Sequence, residues 1–309
     1  MKILFLTGIW RKMAEKITID NELISGFRPE RPCDGHKNTF GTAIICAGSE
    51  FMTGAAVMAA SAALRSGAGL VKVFSEERTL NAVSCIEPCA LLELRPEKTA
   101  ELLRKAGKLA QASNAVLIGS GIPADYKNME ALTDAFLKRI AGVVLDAGVL
   151  SSKPDVLERL RAVLSSRSIP AVMTPHIGEF ARMVRLSTKE VTENSEELVL
   201  KFAAEYNCVM VLKSYKTLVA TPDNIICEYE DPNSGLAKGG SGDILAGLLT
   251  GFLAQGMEPY KAACSAVFIH SKAGRAAAED TDVRYMLPTD ILNYLPEGYL
   301  EAGWSEDDD

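Results

Sequence analysis

Across 309 residues, 48% of them hydrophobic, the chain has apolar material for one large core or two modest ones. A formal net charge of −7 with no basic tract argues against nucleic acid as a partner. No run approaches the roughly 18 apolar residues of a membrane-spanning helix. The seven cysteines are odd in number and scattered, with no C-x-x-C pair, which suits reduced thiols in a cytoplasmic protein. His36, His176 and His270 are too dispersed to suggest a zinc site.

In chain order, residues 2–10 (K-I-L-F-L-T-G-I-W) are apolar but short, lead into Arg11-Lys12 and lack a small-residue cleavage site. They read as a strand or loose arm, not a signal peptide. Residues 1–36 are assigned to this N-terminal arm, 37–298 to one α/β domain and 299–309 to an acidic tail. A buried strand is expected over 42–47, followed by an alanine-rich helix over 53–65 whose small side chains permit close packing or close approach of a ligand. The next strand is 70–75. Further strands are expected at 90–94, 115–119, 142–146, 171–174 and 208–213, with helices at 98–112, 128–139, 155–164 and 195–206. Continuous apolar strands separated by helices imply a mostly parallel sheet covered on both faces. Residues 217–220 and 225–229 read as an edge hairpin. Helices over 242–255 and 259–278 complete the domain.

In such a sheet, ligands bind outside the carboxyl ends of the strands. Gly119-Ser120-Gly121, Asp146, Thr174-Pro175-His176 and Lys213 all fall there. Gly119–Ala124 fits G-x-G-x-x-A, but Pro123 stands where a helix should be starting, which favours a tight turn near ligand over a dinucleotide fingerprint. Asp146 could bind metal or cap the next turn. Glu179 could serve the dipole of a helix first turn.

The most informative stretch is residues 233–251, N-S-G-L-A-K-G-G-S-G-D-I-L-A-G-L-L-T-G. Gly239, Gly240 and Gly242 let the backbone turn its N–H groups toward one point. Apolar residues at 244, 245, 248, 249, 252 and 253 mark a following helix. A glycine turn that opens a helix is a phosphate site. It is not a Walker A loop. Asp243 could simply cap the helix. Beside an anion cradle, though, a carboxylate makes chemical sense when it must meet a hydroxyl that is about to attack the phosphate.

Five motifs in order carry a resemblance: H-K-N-T-F-G at 36–41, G-S-E-F-M-T-G-A-A…L-R-S-G-A-G at 48–69, T-P-H-I-G-E-F at 174–180, L-K-S-Y-K-T at 212–217, and the Gly-rich stretch. Together they resemble the ADP/ATP-dependent NAD(P)H-hydrate dehydratases of the ribokinase-like superfamily, here without the epimerase domain that often accompanies them. The resemblance implies a ribokinase-like fold and repair of NADHX or NADPHX, the hydrated forms of NADH and NADPH. Phosphorylation turns the ring hydroxyl into a good leaving group, and its elimination restores the dihydropyridine. By that resemblance Ala55, Gly121, His176 and Asp243 contact the hydrated nucleotide, with Asp243 catalytic. Lys213, Ser214, Tyr215, Lys216, Thr217 and Gly242 contact ADP or ATP, and Gly239, Gly240 and Ser241 complete the cradle. Magnesium bridges the phosphates, with Glu179 as water-mediated support and Asp146 a weaker one. Relatives assemble as homotetramers.

Three positions depart from the commonest family pattern: Asn38 where glycine is usual, Ser214 in place of the glycine of L-K-G, and Gly148 where many relatives carry a second aspartate. The main rival reading is a hydroxymethyl vitamin-precursor kinase of the same superfamily, which usually has asparagine where this chain has His176. The other is a non-catalytic nucleotide-binding module, which would gain nothing from Asp243.

Overall fold

The computed structural model describes residues 14–151 and 154–305, so the apolar run at 2–10 and the last four residues lie outside it. The chain opens with β1 (Glu15–Thr18), α1 (Asn21–Ser25), β2 (Thr42–Cys46), α2 (Thr53–Arg65), β3 (Leu70–Ser75), α3 (Glu77–Ile86) and β4 (Leu91–Leu94). It continues through α4 (Thr99–Gln111), β5 (Ala115–Ile118), α5 (Met129–Leu137), β6 (Gly142–Leu145), α6 (Pro154–Ser165) and β7 (Ala171–Met173). Then come α7 (Ile177–Val184), α8 (Thr188–Glu193), α9 (Ser195–Tyr206), β8 (Cys208–Leu212), β9 (Lys216–Ala220) and β10 (Ile225–Glu230). The last helices are α10 (Ser241–Ala254), α11 (Pro259–Thr281), α12 (Pro288–Asn293) and α13 (Leu295–Glu301).

The ten strands form one sheet in the order β1-β10-β9-β8-β7-β6-β5-β2-β3-β4. Among the described strands β9 alone runs against the rest. The expected mostly parallel sheet with helices on both faces is therefore met. Each central strand buries both faces, because its alternate side chains feed two separate cores. In β2, Ala43 and Ile45 join the core under α2, α10 and α11, whereas Ile44 and Cys46 join the one under α4, α5 and α9. The chain leaves β2 toward β3 and β4, then crosses back to place β5 on β2's other side. That reversal opens a crevice between the carboxyl ends of β2 and β5.

The alanine-rich α2 packs against α10, and the contact is close enough to need glycine. A Cβ at Gly247 would stand 2.3 Å from the Ala59 carbonyl oxygen. Two terminal assignments differ from the sequence reading. Residues 14–25 are not an arm: β1 pairs with β10, and α1, capped by Asp20, sinks Ile24 into the core. Nor does a tail begin at 299, because α13 runs to Glu301 and the Trp304 indole donates to the Ile24 carbonyl at 2.8 Å. Strand β4 is an exposed edge rather than a buried run.

Candidate active site

At the carboxyl rim of the sheet a cleft of about 780 Å³ opens between β6, β7, β8 and the start of α10. Its lining includes Asp146, His176, Glu179, Lys213, Ser214, Tyr215, Thr217, Gly239, Gly240, Ser241, Gly242 and Asp243, residues drawn from four separate stretches of sequence.

The glycine loop leaves backbone donors free at the start of a helix. Gly240 has φ of +112° immediately before α10, and a Cβ there would collide with the Met58 side chain on α2. Among the described residues, the N–H groups of Gly239, Gly240 and Gly242 make no hydrogen bond within the protein. Unpaired donors at the positive end of a helix dipole attract phosphate oxygens. Lys238 anchors the loop by donating to the Arg284 carbonyl at 2.7 Å.

Asp243 stands in the first turn of α10, on the cleft. Burial and the neighbouring Asp146 carboxylate push its pKa up to about 7, against the pull of Lys213 and the Ser120 hydroxyl. Such a carboxyl can take a proton near neutral pH.

Asp146 follows β6 and is 2% exposed. Its Oδ2 accepts from the Ser120 hydroxyl at 2.7 Å, and its Oδ1 from the Thr174 hydroxyl at 2.7 Å and from Lys213 Nζ at 3.2 Å. His176 caps α7. Its Nδ1 accepts the Gly178 and Glu179 N–H groups at 3.0 and 3.3 Å, so in the neutral ring the proton sits on Nε2. Glu179 reciprocates, with Oε2 accepting the His176 N–H at 3.0 Å. No cluster of three metal-ligating side chains occurs among the described residues.

The Ser214 hydroxyl folds back within its own loop, accepting the Lys216 N–H at 3.2 Å. Lys216 is not brought to the cleft: its ammonium pairs with Glu228 at 2.8 Å. Ala55 and Gly121 sit beside the cleft in the β2–β5 crevice, where a Gly121 Cβ would lie 2.6 Å from that of Ala55.

Sequence reasoning missed His270. Its Nε2 lies 3.2 Å from the Ser241 hydroxyl of the cradle, and burial pulls its pKa down to about 4, so the ring is neutral there. A lone histidine in an apolar helix carries no sequence signal for that contact. Asp231 was missed too. It closes the far end of the cleft, accepting from the Tyr229 and Ser271 hydroxyls at 3.1 and 3.2 Å and pairing with Arg275.

A family model described as NAD(P)H-hydrate dehydratase matches residues 43–297. The chain belongs to the NAD(P)H-hydrate dehydratase family. The ADP-dependent (S)-NAD(P)H-hydrate dehydratase of Bacillus subtilis is 32% identical over 272 residues, covering 87% of this chain and 92% of that one. The chain spans about half the length of the bifunctional NAD(P)H-hydrate repair enzymes it also matches, such as that of Moorella thermoacetica at 51%. A crystal structure of the Bacillus subtilis ADP/ATP-dependent NAD(P)H-hydrate dehydratase, co-crystallised with ATP and Mg²⁺, superposes with a TM-score of 0.81 at 29% identity, covering 93% and 98% of the two chains. A ribokinase-like superfamily protein from Enterococcus faecalis, 24% identical, shares the fold with a TM-score of 0.76 over 94% of this chain and 97% of that one. This dehydratase-family chain is thus ribokinase-like in architecture.

Proposed function

We propose that the protein restores NADH or NADPH from the hydrated nucleotide, using ADP or ATP to phosphorylate the ring hydroxyl before phosphate leaves. The observation that carries this reading is the placement of Asp243, a carboxyl with a pKa near 7, beside three unpaired backbone N–H groups. A site for static phosphate binding gains nothing from a carboxylate at its mouth. A site for phosphoryl transfer to an alcohol needs one, and the named relatives act on a substrate that presents such an alcohol.

In this mechanism the nucleotide lies along Lys213, Ser214, Tyr215 and Thr217, with its terminal phosphoryl group against Gly239, Gly240 and Gly242. The hydrated nicotinamide approaches from the Ala55–Gly121 crevice, and the His176 Nε2–H steadies it. Asp243 takes the hydroxyl proton as the oxygen attacks phosphorus. The loop N–H groups and Lys213 hold the charge on the equatorial oxygens. The lone pair of the ring nitrogen then expels phosphate from the adjacent carbon, and loss of a ring proton completes the dihydropyridine.

Mg²⁺ fits the site as a nucleotide-borne ion. It keeps several waters and needs only one or two carboxylates besides phosphate oxygens, and two of the cleft's carboxylates, Glu179 and Asp146, already accept hydrogen bonds from the protein. Glu179 would hold it through water, and when bound it offsets phosphate charge. The same reading carries a cytoplasmic homotetramer, as in the family.

The test is to add hydrated NADH with Mg²⁺ and either ADP or ATP and follow the near-ultraviolet absorbance of the dihydronicotinamide. Recovery of that absorbance with stoichiometric release of phosphate is the expected outcome. A stable phosphate ester with no recovery would establish a kinase instead.

A further inference from the structure

The geometry points to Asp146 as a positioning residue for the nucleotide phosphates: it holds the Lys213 ammonium against the glycine cradle and does not ligate the metal. The inference rests on reading the cleft as an ADP or ATP site.

Asp146 and Lys213 extend from β6 and β8, with β7 between them. Neighbouring strands lie about 4.8 Å apart, so the lysine chain must cross the end of β7 to reach the carboxylate. Thr174, at that end, donates to the same oxygen that receives Lys213, and Ser120, beyond the end of β5, occupies the other. The carboxylate is thus locked from three strand ends in a nearly dry setting. A buried carboxylate so fully engaged has little left to offer an ion that demands octahedral geometry. What it can do is fix a cation.

Lys213 Nζ lies 3.2 Å from where a Cβ of Gly242 would stand, so the missing side chain lets the ammonium rest against the start of α10. Asp146 is the one hydrogen-bond partner of its ammonium among the described residues, which leaves two of the three donors of this cleft-lining lysine uncommitted. Without Asp146, a flexible lysine beside Asp243 could pair with that base and abandon the cradle.

The test is a double-mutant cycle on ADP affinity, measured by titration calorimetry at fixed saturating Mg²⁺. Asp146→Asn is expected to weaken ADP binding about ten- to hundred-fold, the value of one charge-assisted hydrogen bond. Lys213→Met should weaken it similarly, and the double variant should be no weaker than Lys213→Met alone. In turnover, Asp146→Asn should raise KM for ADP and leave KM for hydrated NADH unchanged, a split that general damage would not produce. If Asp146→Asn fails to fold, Thr174→Val removes one of the groups holding the carboxylate and should give a smaller loss that again vanishes in the Lys213→Met background. Additive losses would overturn the assignment, as would recovery of ADP affinity in Asp146→Asn when Mg²⁺ is raised. Absence of ADP binding in the wild type would instead overturn the nucleotide reading of the cleft, and this inference with it.

Discussion

Asp243 is the residue whose environment says most about chemistry. A carboxyl is a useful base only when ionised, and this one titrates at about 7 instead of 3.8. The value of kcat/KM should therefore rise with pH through about 7, with the base protonated and idle below it. Asp243→Asn should lower kcat by roughly 10²–10⁴ while ADP still binds. Near-normal turnover in that variant would remove Asp243 from the mechanism. Linkage adds a second readout. A carboxyl whose pKa is raised on folding contributes stability at low pH that is lost as pH climbs through the folded value. Wild type and Asp243→Asn should thus melt alike near pH 4, with the variant the more stable by pH 8. Residues of this kind were legible because motif and glycine spacing announced them. His270 was not, because its role is a contact with Ser241 that arises only when α11 packs beside the cradle. The engagement of Asp146 was equally hidden, since its partners lie 26, 28 and 67 positions away.

Among the elements, α2 and α10 were both legible, one from its alanines and the other from its apolar periodicity. What the sequence left open was whether the alanines face a ligand or a helix. Ala59 and Ala63 pack against α10, where Gly247 and Gly251 sit so that a side chain would strike α2, whereas Ala55 faces Gly121 in the crevice. Alanine at Gly247 would gain about 1 kcal/mol of helix propensity. Against that stands a fixed backbone carbonyl at 2.3 Å, and overpacking of a rigid neighbour costs about 1–3 kcal/mol. The clash should win, so Gly247→Ala is expected to lower the urea midpoint. Gly107→Ala in α4, with nothing within 4 Å, should raise it. Equal effects at the two positions would refute the tight α2–α10 contact. Several of the elements that went unread are short or terminal, although α3, ten residues in the interior of the chain, went unread as well. Strand β1 is four residues at the sheet margin, and α1 and α8 are five and six residues long. Neither offers enough periods for an apolar pattern to show.

For the whole molecule, the long apolar strands revealed a doubly covered sheet because burial on both faces leaves no polar alternation. The closure of the chain on itself was invisible, since it depends on residues about 280 positions apart. Trp304 joins the two ends: its indole donates to Ile24, and its ring packs on Phe252 with centroids 5.3 Å apart. Trp304→Ala should remove about 3 kcal/mol of unfolding free energy, read from denaturant melts, without changing ADP affinity. A neutral effect would mean that the terminal segment is dispensable.

The lacing behind the glycine turn has a consequence for thermodynamics of recognition. Met58 backs Gly240, Lys238 is tied to the strand of backbone before α12, and neutral His270 steadies Ser241. Little conformational freedom is left there to surrender, so if the loop takes a polyphosphate as proposed, affinity is expected to come from a scaffold held in place beforehand and not from ligand-driven ordering.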